Sequence, residues 1–310
     1  MSIAVVVHNL TKQYGDIIAV DHISFEVKQA EIFGFLGPNG AGKTTTIRIL
    51  TGIIKPDEGT ATIMEHDIER EPLQAKQIMG IVPEMSNAYI DLSAWNNLML
   101  IGELYGVPKK LRVDRAKSLL EKFDLYDRRA QLVRGFSKGM KQRLILCMAL
   151  INEPAILFLD EPTSGLDVES AKMIREIIIE LNSAGATVFL TTHNMDEANR
   201  LCDRIAIINH GVIAAIDTPE NLRMKSSSLQ SIEVSFDHLV NTNDLAKIPC
   251  VKQVEKMGDK IKLYTSDPNE TLNCIMDYAR SHNMRIITLN TLAPSLEEVF
   301  LKLTQTKPEG

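Results

Sequence analysis

The chain reads Gly37-Pro38-Asn39-Gly40-Ala41-Gly42-Lys43-Thr44 at the point that decides its fold. The stretch fits G-x-x-x-x-G-K-[ST], a glycine-rich turn between a strand and a helix that aims backbone N–H groups at one point. Residues 31–36 before it are predicted to form a short buried strand, and residues 44–51 after it a helix. The partial positive charge at the start of that helix favours an anion, so the sequence predicts a polyphosphate site here.

The side chains of this turn suit a nucleoside triphosphate and its metal ion. Lys43 is long enough to reach the β- and γ-phosphates, and the Thr44 hydroxyl is a suitable ligand for Mg²⁺. The alternative, a chance glycine turn, is disfavoured because a strand and a helix flank the stretch. We expect the phosphates to contact the whole segment, hereafter the phosphate-binding loop: Gly37, Pro38, Asn39, Gly40, Ala41, Gly42, Lys43, Thr44 and Thr45.

Two adjacent acids, Asp160 and Glu161, end a predicted buried strand further along the chain. Ligands of open α/β sheets bind at the carboxyl ends of the strands. We expect Asp160 to assist Mg²⁺ and Glu161 to be the general base that polarises the attacking water. Two solvated acids at a strand end are the alternative, and the phosphate-binding loop upstream argues against it.

Composition indicates a globular protein with room for two domains in its 310 residues. The net charge of −6 argues against nucleic acid as the main partner. No apolar run approaches the roughly eighteen residues that cross a bilayer, and residues 1–8 lack the pattern of a signal peptide, so we expect a cytoplasmic protein. The four cysteines are scattered without C-x-x-C spacing, which argues against a metal site or disulfide framework.

Residues 1–220 alternate short apolar strands with helical stretches, which predicts an α/β domain with a largely parallel sheet. Residues 3–7 and 23–27 are predicted to be antiparallel strands beside that core. The region 93–124 is predicted to form several helices, because Gly102, Gly106 and Pro108 interrupt it.

Residues 228–310 follow a different pattern, with strands and helices in the order βαββαβ, which predicts a small ferredoxin-like α+β domain. Strands are expected at 229–236, 251–257, 260–265 and 284–289, and a helix carries apolar residues at i, i+3, i+4 and i+7 from Leu272. A closing helix at 295–303 is expected to begin with a capping box of Ser295 and Glu298.

Several further motifs resemble those of the ABC ATPases and stand in that family's order. Residues 136–143, Phe-Ser-Lys-Gly-Met-Lys-Gln-Arg, are similar to the L-S-G-G-Q signature, and 164–167, Ser-Gly-Leu-Asp, to the D-loop. Thr191-Thr192-His193 resembles the H-switch, and Tyr14 stands in the place of the aromatic residue that stacks on adenine. The resemblance covers residues 2 to about 220 and implies a P-loop NTPase core of ABC type, with an antiparallel and a helical subdomain.

The resemblance implies that ATP and Mg²⁺ bind between two copies of the chain packed head to tail. Ser137 and Gly139 of one copy would then contact the γ-phosphate held by the other, while His193 touches that phosphate or its water and Asp167 signals across the dimer. Each residue also has a plainer interpretation. Ser137 and Asp167 are good helix caps, His193 fits a turn before a helix, and Tyr14 fits a packed strand end.

Two positions depart from the family pattern. Glu84 stands where most ABC ATPases have the Q-loop glutamine; it is a candidate Mg²⁺ ligand, but it cannot donate a hydrogen bond as an amide does. Lys138 and Met140 replace the usual Gly and Gln of the signature. Lys138 either adds positive charge near the phosphate of the other copy or is simply solvated.

The end of the chain, Leu296 to Leu303, resembles that of the drug- and antibiotic-exporter ATPases, the daunorubicin-resistance-like branch. That resemblance implies an ATPase subunit on the inner face of the membrane, which powers a separate transmembrane permease. Two alternatives are a soluble ABC ATPase acting on ribosomes or DNA, and a regulatory nucleotide sensor. In a nucleotide sensor, the C-terminal domain would detect the nucleotide state of the first domain. In the other two cases, it would only brace the dimer.

Overall fold

A computed structural model describes residues 2–85, 88–225, 230–292 and 296–305. The chain divides into two compact units, residues 1–218 and 219–310. In the described residues, no helix combines the length and the apolar character that crossing a bilayer requires.

Strands form three sheets, two in the first unit and one in the second. The strands of the first unit are β1 (Ile3–Tyr14), β2 (Ile17–Lys28), β3 (Ile32–Leu36), β4 (Glu58–Ile63), β5 (His66–Asp67), β6 (Met79–Val82), β7 (Ile156–Asp160), β8 (Thr187–Thr192), β9 (Arg204–Asn209) and β10 (Val212–Asp217). Those of the second unit are β11 (Gln230–Phe236), β12 (Val251–Met257), β13 (Lys260–Thr265) and β14 (Ile286–Leu292).

Helices connect most of these strands. Those of the first unit are α1 (Lys43–Leu50), α2 (Pro72–Gln77), α3 (Ala94–Leu104), α4 (Lys109–Lys122), α5 (Lys138–Leu150), α6 (Val168–Ser183) and α7 (Met195–Leu201). Those of the second unit are α8 (Pro219–Lys225), α9 (Thr242–Leu245), α10 (Pro268–Ser281) and α11 (Leu296–Gln305).

The central sheet of the first unit has the order β10-β9-β3-β8-β7-β6, and all its pairs are parallel except β10 with β9. Strands β3, β7 and β8 are buried along their whole length, as expected for strands that are covered on both faces. Phe189 lies at the centre of the core, with its ring centroid 5.5 Å from those of Phe35 and Phe158. The largely parallel α/β sheet predicted from the sequence is confirmed, and it brings the ends of β3, β7 and β8 to one edge.

A second sheet of the first unit is antiparallel, with the order β2-β1-β4-β5, as predicted. Its strands β1 and β2 are 12 residues each, much longer than the segments 3–7 and 23–27 that apolar alternation marks. Register shifts between Val7 and Leu10, where Asn9 has a φ of 47°, let β1 continue through a polar stretch. Such bulges bend a strand without ending it, so periodicity alone underestimates its length.

The helical region of the first unit consists of separate helices, as predicted. Ser93 caps α3 by accepting the Asn96 N–H at 3.1 Å, and Gly106 follows its end with a φ of 72°. Gly102 does not interrupt the chain but lies within α3, where an added Cβ would be 3.0 Å from the Arg112 side chain. This glycine therefore allows α3 and α4 to approach closely.

The second unit has strands in the antiparallel order β12-β13-β11-β14, with α9 and α10 completing a βαββαβ sequence. This is the ferredoxin-like arrangement predicted from the sequence. Its first helix is only 4 residues long, against 14 in α10. In α11, Glu298 accepts a hydrogen bond from Lys262 Nζ at 2.6 Å, whereas its predicted capping partner Ser295 lies outside the described residues.

Candidate functional site

The phosphate-binding loop joins β3 to α1 through a turn whose conformation requires glycine. Gly40 and Gly42 have φ values of 81° and 107°, in the left-handed region that favours glycine. A Cβ on Gly37 would lie 2.5 Å from Ile208 O, and one on Gly42 would overlap Ala19 O. The spacing of glycines in the sequence is thus a steric requirement of this turn.

The start of α1 presents free backbone donors at this turn. The Thr46 N–H donates to Gly42 O at 2.9 Å, the first bond of the helix. The N–H groups of Lys43, Thr44 and Thr45 precede it and have no acceptor within the helix. Together with the helix dipole they form a cradle for an anion.

The Lys43 ammonium lies inside this cradle and is 6% exposed. It donates to Gly37 O at 2.8 Å and to Pro38 O at 3.1 Å, and it lies 3.4 Å from Glu161 Oε1. A buried ammonium group needs such partners. Its position places a positive charge between the loop and the acid that follows β7.

The carboxylate of Asp160 lies between two hydroxyl groups. Thr191 Oγ1 donates to Asp160 Oδ1 at 2.6 Å, and Thr44 Oγ1 lies 3.5 Å from the same oxygen. A hydroxyl and a carboxylate are hard oxygen ligands that suit Mg²⁺. In the described residues, no three acids, histidines or cysteines converge as a metal-binding group.

Glu161 is held in an uncommon backbone conformation at the turn after β7. Its φ is 51°, and its N–H donates to Thr191 O at 3.1 Å and to Thr191 Oγ1 at 3.2 Å. Its buried side chain places Oε2 2.8 Å from His193 Nδ1. Conformations of this kind occur where the surroundings over-determine them, often at functional sites.

One cavity of about 370 Å³ is lined by the start of α1, by Glu161 and by His193, whereas Asp160 is not in its described lining. Glu84, an exposed residue, lies at it as well. The cavity is lined by Ala19, Asn39, Gly40, Gly42, Lys43, Thr44, Thr45, Glu84, Glu161, Ser164 and His193. Gly37, Pro38 and Ala41 are not in its described lining. Gly37 O and Pro38 O accept hydrogen bonds from Lys43 Nζ, and the Ala41 N–H donates to Pro38 O at 3.2 Å.

Thr191 is a site residue that sequence reasoning missed, since it was quoted only as part of the H-switch. It is fully buried, and its hydroxyl joins Asp160 to the Glu161 N–H. The available signal was a threonine at the carboxyl end of a strand that neighbours β7. Ala19 and Ser164 also line the cavity; Ser164 begins the D-loop stretch, whereas no sequence motif includes Ala19.

Tyr14 ends β1 and is 49% exposed. Lys12 Nζ lies over its ring, 5.7 Å from the centroid. Among the described residues that line the 370 Å³ cavity, Tyr14 is not included. Its exposed ring is therefore a separate surface rather than a wall of the phosphate site.

The signature residues lie apart from the cavity of their own chain, as its described lining shows. Ser137 Oγ accepts the Met140 N–H at 3.2 Å and caps α5, while Gly139 packs against the Ser170 side chain. Lys138 Nζ lies beside Gly165 of the D-loop. The structure thus shows the capping role of Ser137.

Asp167 caps α6 through two hydrogen bonds with Ser170. Its Oδ1 accepts the Ser170 N–H at 2.8 Å, and its Oδ2 accepts from the Ser170 hydroxyl at 2.8 Å. These bonds, the backbone one foremost, hold the pKa of the Asp167 carboxyl below its ordinary value. The signature and D-loop segments therefore meet at Ser170, which contacts both Gly139 and Asp167.

Comparisons with known proteins agree with this geometry. Residues 20–164 match the family described as ABC transporter, and residues 218–304 match the C-terminal domain of DrrA1-3-like ATP-binding proteins. Nod factor export ATP-binding protein I of Ralstonia nicotianae is 36% identical over 298 residues, which cover 96% of this chain and 92% of that protein. The chain belongs to the ABC transporter ATP-binding proteins. The linearmycin resistance ATP-binding protein of Bacillus subtilis is a second relative of this ABC ATPase, 37% identical over 301 residues that cover 96% of each chain.

Solved structures support the same assignment. An ATP-binding subunit of an ABC transporter matches with a TM-score of 0.66 and 30% identity, over 72% of this ABC ATPase and 92% of that chain. A dimeric ATP-binding cassette in a post-hydrolysis state, bound to ADP and Pi, matches with a TM-score of 0.62 and 26% identity, over 69% and 98%. The predicted family, fold and ATPase class are confirmed.

Proposed function

We propose that this ABC ATPase binds Mg²⁺-ATP in the 370 Å³ cavity and that its hydrolysis drives export through a separate permease. One observation carries the assignment of roles. Lys43, Glu161, His193 and the free N–H groups of α1 converge on one cavity. This combination offers positive charge for the phosphates and a carboxylate for a water molecule, which are the groups that phosphoryl transfer requires.

The residues divide the work of hydrolysis between them. Lys43 and the phosphate-binding loop hold the β- and γ-phosphates and neutralise their charge. Glu161 accepts a proton from the attacking water, and His193 keeps its carboxylate oriented through the 2.8 Å hydrogen bond. Tyr14 offers its exposed ring to adenine.

Thr44, Asp160 and Glu84 are the residues that would hold Mg²⁺. The hydroxyl of Thr44 already lies 3.5 Å from Asp160, and Glu84 lies at the same cavity. Bound Mg²⁺ supplies charge neutralisation on the β- and γ-phosphate oxygens. Because Glu84 carries full charge, it is a stronger Mg²⁺ ligand than the usual glutamine.

We infer that two copies pack head to tail, with Ser137 and Gly139 of one copy completing the phosphate site of the other. The signature residues do not line the cavity of their own chain in its described part, which supports this arrangement. The related cassette bound to ADP and Pi is dimeric. ATP favours the closed dimer because it binds both halves, and Asp167 at the D-loop is placed to report on the partner.

The permease is expected to lie over the segment that follows Glu84. Met85, Tyr89 and Ile90 are large apolar residues that are exposed by 82%, 50% and 51%. The three residues lie close together in the sequence, and an exposed apolar patch is typical of a protein interaction site. Permease binding would place the ATPase on the inner face of the membrane, with no role for nucleic acid.

Cargo is not determined by the ATPase subunit. The relatives are named for Nod factor export and for linearmycin resistance, and they are similar to this chain to nearly the same degree. We therefore propose export without a specific cargo. We propose that residues 1–220 form the nucleotide domain and that residues 228–310 form an accessory domain. We infer that the accessory domain braces the dimer.

Purification of the tagged protein from detergent-solubilised membranes tests the proposed function. We expect a protein with several membrane-spanning helices to co-purify, and we expect it to stimulate ATP hydrolysis. A matched variant with Met85 and Ile90 changed to serine should lose the permease while the soluble ATPase rate is kept. Recovery of ribosomal proteins or DNA in place of a permease would support the soluble alternative instead.

A further inference from the structure

Residues 12–14, which carry Tyr14, lie where the antiparallel sheet loses its regular pairing. Against β2, the register of β1 shifts between Leu10 and Lys12 and again between Lys12 and Gln13. Against β4, the last described pair of β1 is Thr11 with Glu58. Pairing with β4 therefore stops before Tyr14 is reached.

Asp57 holds residues 11–13 by hydrogen bonds at the point where pairing with β4 stops. Its N–H donates to Thr11 O at 2.9 Å, and its Oδ2 accepts the Gln13 N–H at 2.7 Å. Its Oδ1 accepts from Lys12 Nζ at 2.8 Å. One aspartate thus contacts the three residues that lead into Tyr14.

The bond to Lys12 also determines what lies over the tyrosine ring. The Lys12 side chain is 16% exposed, although the next two residues, Gln13 and Tyr14, are exposed. Its Nζ stands over the Tyr14 ring, 5.7 Å from the centroid, within the range of a cation–π interaction. Since the ring is 49% exposed, it retains surface on which a planar ligand can stack.

The electrostatics agree with this geometry. The hydrogen bond from Lys12, followed by that from the Gln13 N–H, lowers the pKa of the Asp57 carboxyl below its ordinary value. The carboxylate is therefore charged at neutral pH and able to hold both donors. A surface ion pair such as Lys12–Asp57 adds little to the free energy of unfolding. If stability were its only role, removing it would leave the affinity for the base unchanged.

We propose that Asp57 is a positioning residue for the adenine base, acting on Tyr14 through Lys12 and Gln13. It determines affinity for the base and leaves the contacts of the phosphates unchanged. The inference rests on the proposed function, in which Tyr14 stacks on adenine. Asp57 does not itself touch the nucleotide.

The test compares two probes, a non-hydrolysable ATP analogue and tripolyphosphate, each with Mg²⁺, by titration calorimetry on the full chain. The variants are Asp57→Ala, Lys12→Met and Tyr14→Ala. Asp57→Ala is expected to weaken binding of the analogue by about five- to twenty-fold, part of what loss of an aromatic stacking partner costs, with tripolyphosphate affinity unchanged. Lys12→Met keeps the bond from the Gln13 N–H to Asp57 but removes both the ion pair and the cation over the Tyr14 ring. It is expected to weaken binding of the analogue and to leave tripolyphosphate affinity unchanged.

Different outcomes separate this inference from the proposed function. If Tyr14→Ala weakens the analogue and neither Asp57→Ala nor Lys12→Met does, Asp57 has no positioning role and the adenine assignment stands. Equal weakening of both probes by folded Asp57→Ala would show general damage to the site and overturn the inference. If Tyr14→Ala itself has no effect, the adenine assignment fails and the inference with it. Should Asp57→Ala not fold, Asp57→Asn takes its place, because the amide oxygen still accepts the Gln13 N–H while the charge that holds Lys12 is gone.

Discussion

Nδ1 of His193 lies 2.8 Å from Oε2 of Glu161, and the two residues differ sharply in their exposure. The Glu161 side chain is 7% exposed, whereas that of His193 is 51% exposed. The other carboxylate oxygen of Glu161 lies 3.4 Å from Lys43 Nζ. The buried Glu161 carboxylate is thus oriented from both sides. His193, the more exposed of its two partners, can change position when a ligand enters the cavity.

Glu161→Gln is expected to slow ATP hydrolysis by about 10²- to 10⁴-fold, the usual loss when a general base is removed. The amide keeps the size of the side chain, so ATP should still bind. The variant should therefore accumulate as an ATP-bound dimer in size-exclusion chromatography. Phosphate release at the wild-type rate would show that Glu161 is not the base.

His193→Ala is expected to lower kcat by about 10²-fold, because a misplaced catalytic group loses much of its effect. Affinity for the nucleotide should change little, since Lys43 and the loop remain. Steady-state kinetics with a separate binding measurement distinguish the two. His238→Ala, at an exposed histidine of the second unit, is the matched control and should behave as wild type.

Lys43→Ala removes the ammonium group from the cradle, together with its hydrogen bonds to Gly37 O and Pro38 O. Pro38 O keeps the Ala41 N–H as a donor. Productive nucleotide binding should be lost, as measured by fluorescence or calorimetric titration with Mg²⁺-ATP. Lys43→Arg keeps the charge with a bulkier fork and is a useful comparison. Unchanged ATP affinity in the alanine variant would contradict the position of the triphosphate.

Thr191→Val tests the hydroxyl that joins Asp160 to the Glu161 N–H. Leaving these buried groups with one partner fewer should cost about 1–3 kcal/mol of unfolding free energy. Because Asp160 is no longer fixed, the Mg²⁺ concentration needed for half-maximal activity should rise. Thr187→Val, at the opposite end of β8, removes the part-buried hydrogen bond that the Thr187 hydroxyl accepts from the Ala30 N–H at 3.0 Å. This control should lose stability without any change in Mg²⁺ requirement.

Asp167→Asn tests the charge at the start of α6. The Asp167 pKa is lower in the folded state than its ordinary value of 3.8, so its charge contributes stability above that pH. The contribution disappears as pH falls through the lower folded pKa. Asparagine is also a good helix cap but has no charge. Unfolding by denaturant should show wild type more stable at neutral pH, with the difference vanishing under acidic conditions; a constant difference would contradict this.

Much of the fold follows from the sequence because local patterns specify it. Continuous apolar runs at β3, β7 and β8 indicate buried parallel strands, and the glycines of the phosphate-binding loop mark a turn that no other residue fits. Ser137 and Asp167 are recognisable caps from their place before a helix. Each of these signals involves residues close together in the chain.

What the sequence left out depends on contacts between distant segments. Thr191 reaches Asp160 across neighbouring strands, and Asp57 reaches Lys12 across the antiparallel sheet. The full length of β1 depends on bulges whose position follows from its two partners. Lys138 beside Gly165 likewise depends on how α5 and α6 meet. Register and packing across the fold decide such pairs, and one-dimensional periodicity does not encode them.

At Glu161, with its φ of 51°, the residue that is best for stability differs from the residue that is best for ATP hydrolysis. Glycine adopts that backbone conformation most easily, and it has no carboxylate to offer. In a mutational scan of position 161, glycine should therefore rank above glutamate when variants are scored by expression, and far below it when they are scored by phosphate release. At this turn, the residue that would relieve the backbone strain, glycine, would also remove the carboxylate on which hydrolysis depends.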